Sequence, residues 1–512
     1  MKRIVETQAD TGVGALLNKA AAIAALACGL YFVGSFIYVA LSRIGYPFSL
    51  EWLEGGSYTQ VHRMLTGQPL YARPSMEYVA MIYPPLYYYA AAVLSRVVGF
   101  GFVPLRLVSF ASALGALVVI FLIVRQQGGI ALAAALGSSL FAATYHLSGS
   151  WFDIARVDML SVFLVLLAIW LLRMRDRAWH VAAGLVFGLA CLTKQTHLIT
   201  LACLTVYLAV FDRKKLATFI VPCLVLLGAA YVALNGVYDG WFGFFVLRLA
   251  LGSGEYVTFE PGMFMHTASG FWLNSILLPL SIVVLSILIF VIARLRMGQD
   301  HAGLFYYLTF VAGMVGTSWS VVQVGGYKND LLPAYASLAV LFGISLHWLM
   351  TQTVHAAIWR SATLVACILQ FALLWYPITS QIPPQQDLAA GKALLDRIHQ
   401  QRGDLYIPFH PELSLMAGKK PFASWSPMFQ LEGNYGGGDI RVAGRVKTEF
   451  SRAMERRQFS MIILDQEPNW IWGDPERYYA RTGQPIFADE DVFWPVTGWQ
   501  TRPEIMLLPA GD

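Results

Sequence analysis

Charge is what this 512-residue sequence has least of: 13% of its residues are Asp, Glu, Lys or Arg, whereas 57% are hydrophobic. A soluble domain carries roughly a quarter charged residues. The composition therefore excludes an ordinary water-soluble globule, and a mean hydropathy of +0.56 points to lipid as the solvent. Cysteine is scarce as well. All five, Cys28, Cys191, Cys203, Cys223 and Cys367, fall inside apolar runs. That excludes a disulfide framework and a Cys-based metal site and leaves small apolar packing residues. Internal repeats, low-complexity segments and a Walker pattern are absent. The three consecutive glycines of GNYGGGDIRVAGR (433–445) lack the strand–loop–helix context of a nucleotide site and read as a loop.

What is present is a series of apolar runs near the ~20 residues a helix needs to cross the hydrocarbon core. The first lacks a small-residue cleavage site after it and reads as a retained span. Basic clusters punctuate the chain at Lys2/Arg3, Arg125, Arg173/Arg175/Arg177, Arg213/Lys214/Lys215, Arg294/Arg296 and Arg360. Placing each in the cytoplasm gives an alternating path of about eleven transmembrane helices with a cytoplasmic N-terminus. The expected fold is an all-α polytopic membrane protein with a C-terminal extracytoplasmic α/β domain. Residues 1–379 form the membrane module, with an outer loop at 43–104. Residues 380–512 form a soluble domain opening after Pro383/Pro384. Counting YPPLYYYAAAVLSRVVG (83–99) as a full span would reverse the charge alternation, so it reads as a re-entrant helix opened by its proline pair.

On this path polar residues collect at one leaflet boundary. Glu51 and Glu54 begin the first outer loop; Asp153, Arg156 and Asp158 occupy the next outer turn. Lys194 and His197 mark a hairpin, Arg248, Glu255, Glu260 and His266 belong to the third loop, and Lys328, Asn329 and Asp330 lie in the fourth. Membrane-edge charges are costly and default to functional candidates. Each also has a plain reading: a solvated or helix-capping glutamate, Asp158 at a helix start, Arg156 neutralising Asp153, snorkelling lysines, and Arg248 on an amphipathic interfacial helix. Tyr83, Tyr87, Tyr88 and Tyr89 form an interfacial aromatic belt or line a substrate groove. Trp425, Trp470, Trp472, Trp494 and Trp499 are core residues or platforms for sugar rings.

The order of an acidic loop, GQPLY, YPPLYYY, RLVSFASALGALVVIFLIVR, a turn carrying ARVDMLSVF, GLACLTKQT and finally GGYKNDLLPAYASLAVLFG resembles the GT-C superfamily. These are membrane glycosyltransferases that use polyprenyl-phosphate sugars, protein O-mannosyltransferases and the lipid A aminoarabinose transferase among them. The resemblance covers roughly residues 20–350 and implies a carboxylate base in the first outer loop, Glu54 first and Glu51 second. It implies a second acidic position at Asp158 or Asp153, and phosphate-holding cations at Lys194, with Arg156, His197 and Lys328 as alternatives. Tyr83, Tyr87 and Arg248 are candidates for the substrate groove.

The expected activity is transfer of a sugar from a polyprenyl-phosphate donor to a glycan, lipid or protein hydroxyl on the extracytoplasmic side of a bacterial-type inner membrane. A carboxylate would take the acceptor proton, and fixed cations or a divalent ion (Mg or Mn) would stabilise the departing phosphate. One displacement inverts the anomeric carbon. No nucleic-acid partner is expected. The competing class is a lipid-linked sugar or solute transporter, which favours paired halves and charge at the bilayer midplane.

Overall fold

The computed structural model describes residues 12–250, 270–298, 301–322, 326–351, 356–433, 438–465 and 472–511. The expected positions Glu255, Glu260, His266 and Trp470, and part of the triple-glycine loop, lie outside the described residues. The protein is a mostly helical multi-span membrane protein with a small C-terminal mixed sheet. Among the described residues five helices are long and apolar enough to cross a bilayer: Ala15–Arg43, Phe102–Gln126, Arg213–Val237, His301–Val321 and Lys328–Met350; two bent pairs raise the number to seven. The sequence predicts about eleven spans. The difference lies in helices Ala131–Ala143, Asp158–Leu172, Arg177–Cys191 and Gln195–Phe211, which are apolar but short. At 1.5 Å per residue, a 15-residue helix such as Asp158–Leu172 reaches about 22 Å, less than the ~30 Å hydrocarbon core.

The short helices are interior ones. Helix Asp158–Leu172 is buried along most of its length and packs on Phe102–Gln126 and Arg177–Cys191. Helix Lys328–Met350 is also mostly enclosed by protein, whereas Arg213–Val237 exposes most of its surface. Buried helices surrounded by others need not match bilayer thickness, because their ends meet protein and not lipid. The Pro84–Pro85 pair opens helix Leu86–Val98, whose 13 residues span about 20 Å. It buries Tyr87, Tyr88, Ala91, Ala92 and Ser95 and packs against helices Glu54–Leu65 and Phe102–Gln126.

The C-terminal region folds around β1 (Asp404–Tyr406), β2 (Phe459–Leu464), β3 (Tyr479–Arg481) and β4 (Ile505–Pro509) in the order β1-β2-β4-β3. The β1–β2 pair is parallel, and β4 runs antiparallel to both β2 and β3. Helix Ile440–Glu455 alternates apolar and charged residues at helical spacing and buries Ala443, Val446, Phe450, Ala453 and Met454. This region does not hang from a tether. Tyr58, Val61, Leu70, Tyr71 and Tyr78 of the first loop share one apolar cluster with Phe422, Trp425, Met428, Phe450 and Ile462. Phe48 packs with Leu394, Ile398, Leu405 and Met461 in another. Gly55 marks the closest approach, for a Cβ there would collide with the Glu412 carboxylate. The first loop is thereby held between the helices and the sheet.

Candidate active site

Two of the four candidate carboxylates are used up in holding the loops. Glu54, the first residue of helix Glu54–Leu65, is fully buried and receives Arg106 through Nε at 3.1 Å and Nη2 at 2.7 Å. It also accepts the backbone N–H groups of Leu50 at 2.7 Å and Ala155 at 2.6 Å. Both oxygens are therefore committed, and the bond to Ala155 ties the first loop to the 144–157 turn. The remaining Arg106 donors reach the carbonyls of Tyr46 at 2.5 Å and Phe48 at 2.6 Å. Asp153 is engaged in the same manner. It takes Arg43 Nε and Nη2, each at 2.7 Å, and the Tyr145 hydroxyl at 2.8 Å, while Arg43 also donates to the carbonyls of Ser150 and Gln381. Neither pair has solvent contact.

The other polar side chains form a second group a few residues away. Asp158 opens its helix, where a carboxylate suits the positive dipole end. It accepts Lys194 Nζ at 2.6 Å, Asn329 Nδ2 at 3.0 Å and Trp151 Nε1 at 3.1 Å. Lys194 Nζ donates a second bond, 2.7 Å long, to Asp330. Burial disfavours the ammonium, but Asp158 and Asp330 outweigh it and hold Lys194 charged, well above the usual lysine range. Two of its three donors are committed. Arg156, also buried, gives one bond of 3.1 Å from Nη2 to the Tyr83 hydroxyl; its Nε and Nη1 have no partner.

Glu51 lies beside this group with no cation bonded to its oxygens, and the backbone N–H of Leu53 is the one donor near its carboxyl, short of full hydrogen-bond geometry. It is buried, and both Oε1 and Oε2 lack hydrogen-bond partners. Burial pushes its carboxyl up to about 8; the charge of Arg156 opposes that and those of Glu54 and Asp158 reinforce it. Gly498 of the C-terminal region covers Glu51. A Cβ on Gly498 would stand 2.7 Å from Glu51 Cγ, and the residue's φ of +83° is one that side-chain-bearing residues rarely adopt. The covering segment is fixed by Thr497, which donates to the Gly149 carbonyl, and by the Gly498 N–H, which donates to the Tyr327 hydroxyl at 3.2 Å.

The structure thus gathers Glu51, Arg156, Asp158, Lys194 and Tyr83 about one buried polar centre, with Glu54 and Asp153 bracing its walls. His197 is buried just behind, its Nε2 3.0 Å from the Ser161 hydroxyl. Three expected positions fall outside. Tyr87 is fully buried and spends its hydroxyl on the Leu105 carbonyl at 2.9 Å, so it is a packing residue and not a groove wall. The side chain of Arg248 is 72% exposed and pairs with Asp439 at 2.9 Å, joining a short interfacial segment to the C-terminal region. Lys328 is exposed at the rim. Sequence reasoning missed Arg106 and Arg43. Both sit at the edge of apolar runs and read as membrane-edge cations, although a buried arginine needs a carboxylate partner, which is the available signal. Gly498 carried no signal at all.

Among the described residues no group of three His, Cys, Asp or Glu side chains comes together as a metal site requires. Glu54, Asp158 and Asp330 are already bound to arginine or lysine, so the described donor set does not fit a resident divalent ion.

The sequence profile described as dolichyl-phosphate-mannose-protein mannosyltransferase matches residues 83–238, which include Tyr83, Arg156, Asp158 and Lys194. No curated protein matches the chain in sequence. Among solved structures, ArnT from Cupriavidus metallidurans bound to undecaprenyl phosphate is similar at 14% identity and a TM-score of 0.56, with 94% of this chain and 98% of that one covered. The archaeal oligosaccharyltransferase AglB from Archaeoglobus fulgidus, in complex with an inhibitory peptide and a dolichol-phosphate, is similar at 14% identity and a TM-score of 0.52. That match covers 88% of this chain and 72% of the other. The same oligosaccharyltransferase in complex with Zn and sulfate gives 16% identity, coverage of 87% and 71%, and a TM-score of 0.50. The sequence match thus covers the segment that carries most of the polar centre, and the fold match to membrane glycosyltransferase structures runs over nearly the whole length of the chain.

Proposed function

We propose that the protein transfers a sugar from a polyprenyl-phosphate donor to an acceptor hydroxyl at the extracytoplasmic membrane face, with Glu51 as the base. The observation that carries this reading is a pair of buried, unsatisfied groups of opposite charge. The Glu51 oxygens and two Arg156 nitrogens lack partners, although Arg156 is among the charges that act on Glu51. Buried polar atoms are almost always paired, and leaving them bare is costly. A ligand that brings an anion to Arg156 and a hydroxyl to Glu51 satisfies both.

The chemistry follows from those two demands. Glu51 takes the proton of the acceptor hydroxyl as its oxygen attacks the anomeric carbon. The bond from that carbon to the phosphate oxygen breaks, and polyprenyl phosphate leaves with the electron pair. Arg156 meets the phosphate with its charge and with unpartnered N–H groups on Nε and Nη1, charge-assisted donors to an anion. Lys194 adds its third N–H, but most of its charge is spent on Asp158 and Asp330. Arg156 is therefore the principal phosphate cation, held by the Tyr83 hydroxyl beside the negative charge of Asp158. A single displacement inverts the sugar. Glu54 is the weaker base candidate, since a carboxylate with four bonds to Arg106 and two backbone amides has no lone pair left for a substrate.

The test is release of polyprenyl phosphate from a polyprenyl-phosphoryl sugar by the purified protein in detergent. Glu51→Gln is expected to abolish release; turnover equal to wild type in that variant rejects Glu51 as the base.

A further inference from the structure

Residues 495–500 close the polar centre on one side, and a single side chain, Tyr327, holds them there. Tyr327 precedes the short turn Lys328–Leu331, whose Asn329 and Asp330 bind Asp158 and Lys194. The Asp330 N–H returns to the Tyr327 carbonyl at 2.9 Å. The Tyr327 ring lies against Trp151, 5.3 Å between centroids, and Trp151 donates to Asp158. It also lies over Gly149, whose φ is +73° and where a Cβ would stand 2.8 Å from Tyr327 Cε1. Its hydroxyl accepts the Gly498 N–H at 3.2 Å and lies 3.3 Å from the Thr497 hydroxyl, which in turn donates to the Gly149 carbonyl. One phenol thus joins three pieces: the turn that binds Asp158 and Lys194, the 144–157 turn, and the segment covering Glu51.

The walls around Glu51 differ in how firmly they are fastened. Glu54–Arg106, Asp153–Arg43 and Lys194–Asp158 are buried ion pairs, and breaking one leaves an uncompensated charge. Residues 495–500 belong to no helix or strand. Among the described residues, their polar bonds to other segments are those to Gly149 and Tyr327, all between neutral groups, and each such bond contributes little. Apolar contact adds to them: Val496 packs on the helices, and Trp499, 37% exposed, meets Trp52 edge-on at 5.4 Å. A substrate hydroxyl has to reach Glu51, whose oxygens are buried. The wall that yields at least cost is the one Tyr327 holds.

We propose that Tyr327 is a positioning residue: it latches residues 495–500 over Glu51, and release of this latch opens the polar centre to the acceptor. That the incoming group is an acceptor hydroxyl rests on the transferase reading above; the latch does not, so exchange without substrate tests it alone. Amide hydrogen exchange read by mass spectrometry, on the purified full-length protein in detergent with no donor added, compares wild type with Tyr327→Phe and Thr497→Val. Phenylalanine keeps the ring over Gly149 and Trp151 and removes only the oxygen that receives Gly498. Exchange in peptides covering 496–500 should rise ~5-fold in each variant, the scale of one lost neutral hydrogen bond. Thr448→Val, an exposed change on helix Ile440–Glu455, should leave it as in wild type. Unchanged exchange at 496–500 in both variants, or a rise of equal size throughout the chain, overturns the latch.

The positioning role is read from the pH profile of polyprenyl phosphate release. Burial raises Glu51, with Arg156 and the Leu53 N–H opposing it and Glu54 and Asp158 reinforcing it. Water admitted by a loosened cover relieves that burial, so the ascending limb in Tyr327→Phe should move down by about one pH unit. A general loss of stability lowers the amplitude and leaves the midpoint in place, and that result overturns positioning. A local rise in exchange in a protein that releases no polyprenyl phosphate at all would keep the latch and sink the transferase reading.

Discussion

If Glu51 is the base, the pH dependence of transfer is set by how far burial has moved its carboxyl. The side chain is 1% exposed, its oxygens make no full hydrogen bond, and burial, opposed by Arg156 and the nearby Leu53 N–H, raises the group from 4.5 to about 8. A base works only in its ionised form, so kcat/KM in the free enzyme follows the ionised fraction. With a midpoint of about 8, roughly one tenth of the molecules carry an ionised Glu51 at pH 7 and nine tenths at pH 9. Transfer should therefore rise ~10-fold between those values, where an unperturbed glutamate would give a flat profile above pH 6. The assay is initial-rate release of polyprenyl phosphate at subsaturating donor across pH 5–10.

Two variants make the assignment specific. Arg156→Met removes the largest influence opposing burial, so any residual activity should show its ascending limb above 8. Glu51→Gln should abolish the limb along with the activity. Stability gives an independent reading of sign. A carboxyl raised in the folded state holds its proton after the unfolded chain has lost it, so stability falls with rising pH between about 4.5 and 8. Glu51→Gln removes that slope, and its thermal midpoint should overtake wild type as pH rises through the window. An ascending limb centred below pH 6, or a wild-type rate in the Gln variant, refutes the reasoning.

Glu54→Gln breaks a buried ion pair and leaves Arg106 uncompensated, so it should cost about 3–5 kcal/mol. The readout is thermal unfolding in detergent, where Glu51→Gln at pH 7 shows no comparable loss. Gly498→Ala places a methyl group 2.7 Å from Glu51 Cγ at a φ of +83°. It should cost ~1–2 kcal/mol of backbone strain and lower kcat on the order of 10-fold or more by displacing the carboxylate, with KM for the donor less affected. Arg156→Ala should raise KM for the lipid donor ~10–100-fold through loss of a charge-assisted phosphate contact, whereas Arg248→Ala, on the exposed pair with Asp439, should leave it unchanged.

The parts of this picture that were legible in the sequence are those set by solvent and by chain-local chemistry. Low charge and long apolar runs announced membrane helices, and the proline pair before LYYYAAAVLSRVV marked the start of a 13-residue helix. Convergence of Glu51, Arg156, Asp158 and Lys194 could be argued from alternating loops because the helices are short and antiparallel, so their ends meet. What sequence could not rank was the carboxylates. Glu51 and Glu54 are three residues apart and chemically identical; only Arg106 and the amides of Leu50 and Ala155 separate them, and those partners come from other segments. Span length was hard for a related reason: an interior helix can stop short because protein, not lipid, receives its ends. The contribution of Gly498 was invisible, since a loop glycine carries no mark of contact with Glu51, a loop residue more than 440 positions away.

The division of labour among these acids has a physical basis. A carboxylate saturated by arginine and amides is a rigid strut: Glu54 and Asp153 fix the first loop and the 144–157 turn to helix ends and have no capacity for a substrate. A carboxylate stripped of partners is expensive unless it keeps its proton, and Glu51 does so, at about 8. The segment at 497–499 closes over it, and at Gly498 leaves no room for a side chain above Glu51. The C-terminal region is thereby a wall of the polar centre, anchored to the 144–157 turn by Thr497 and to Tyr327 by the Gly498 N–H.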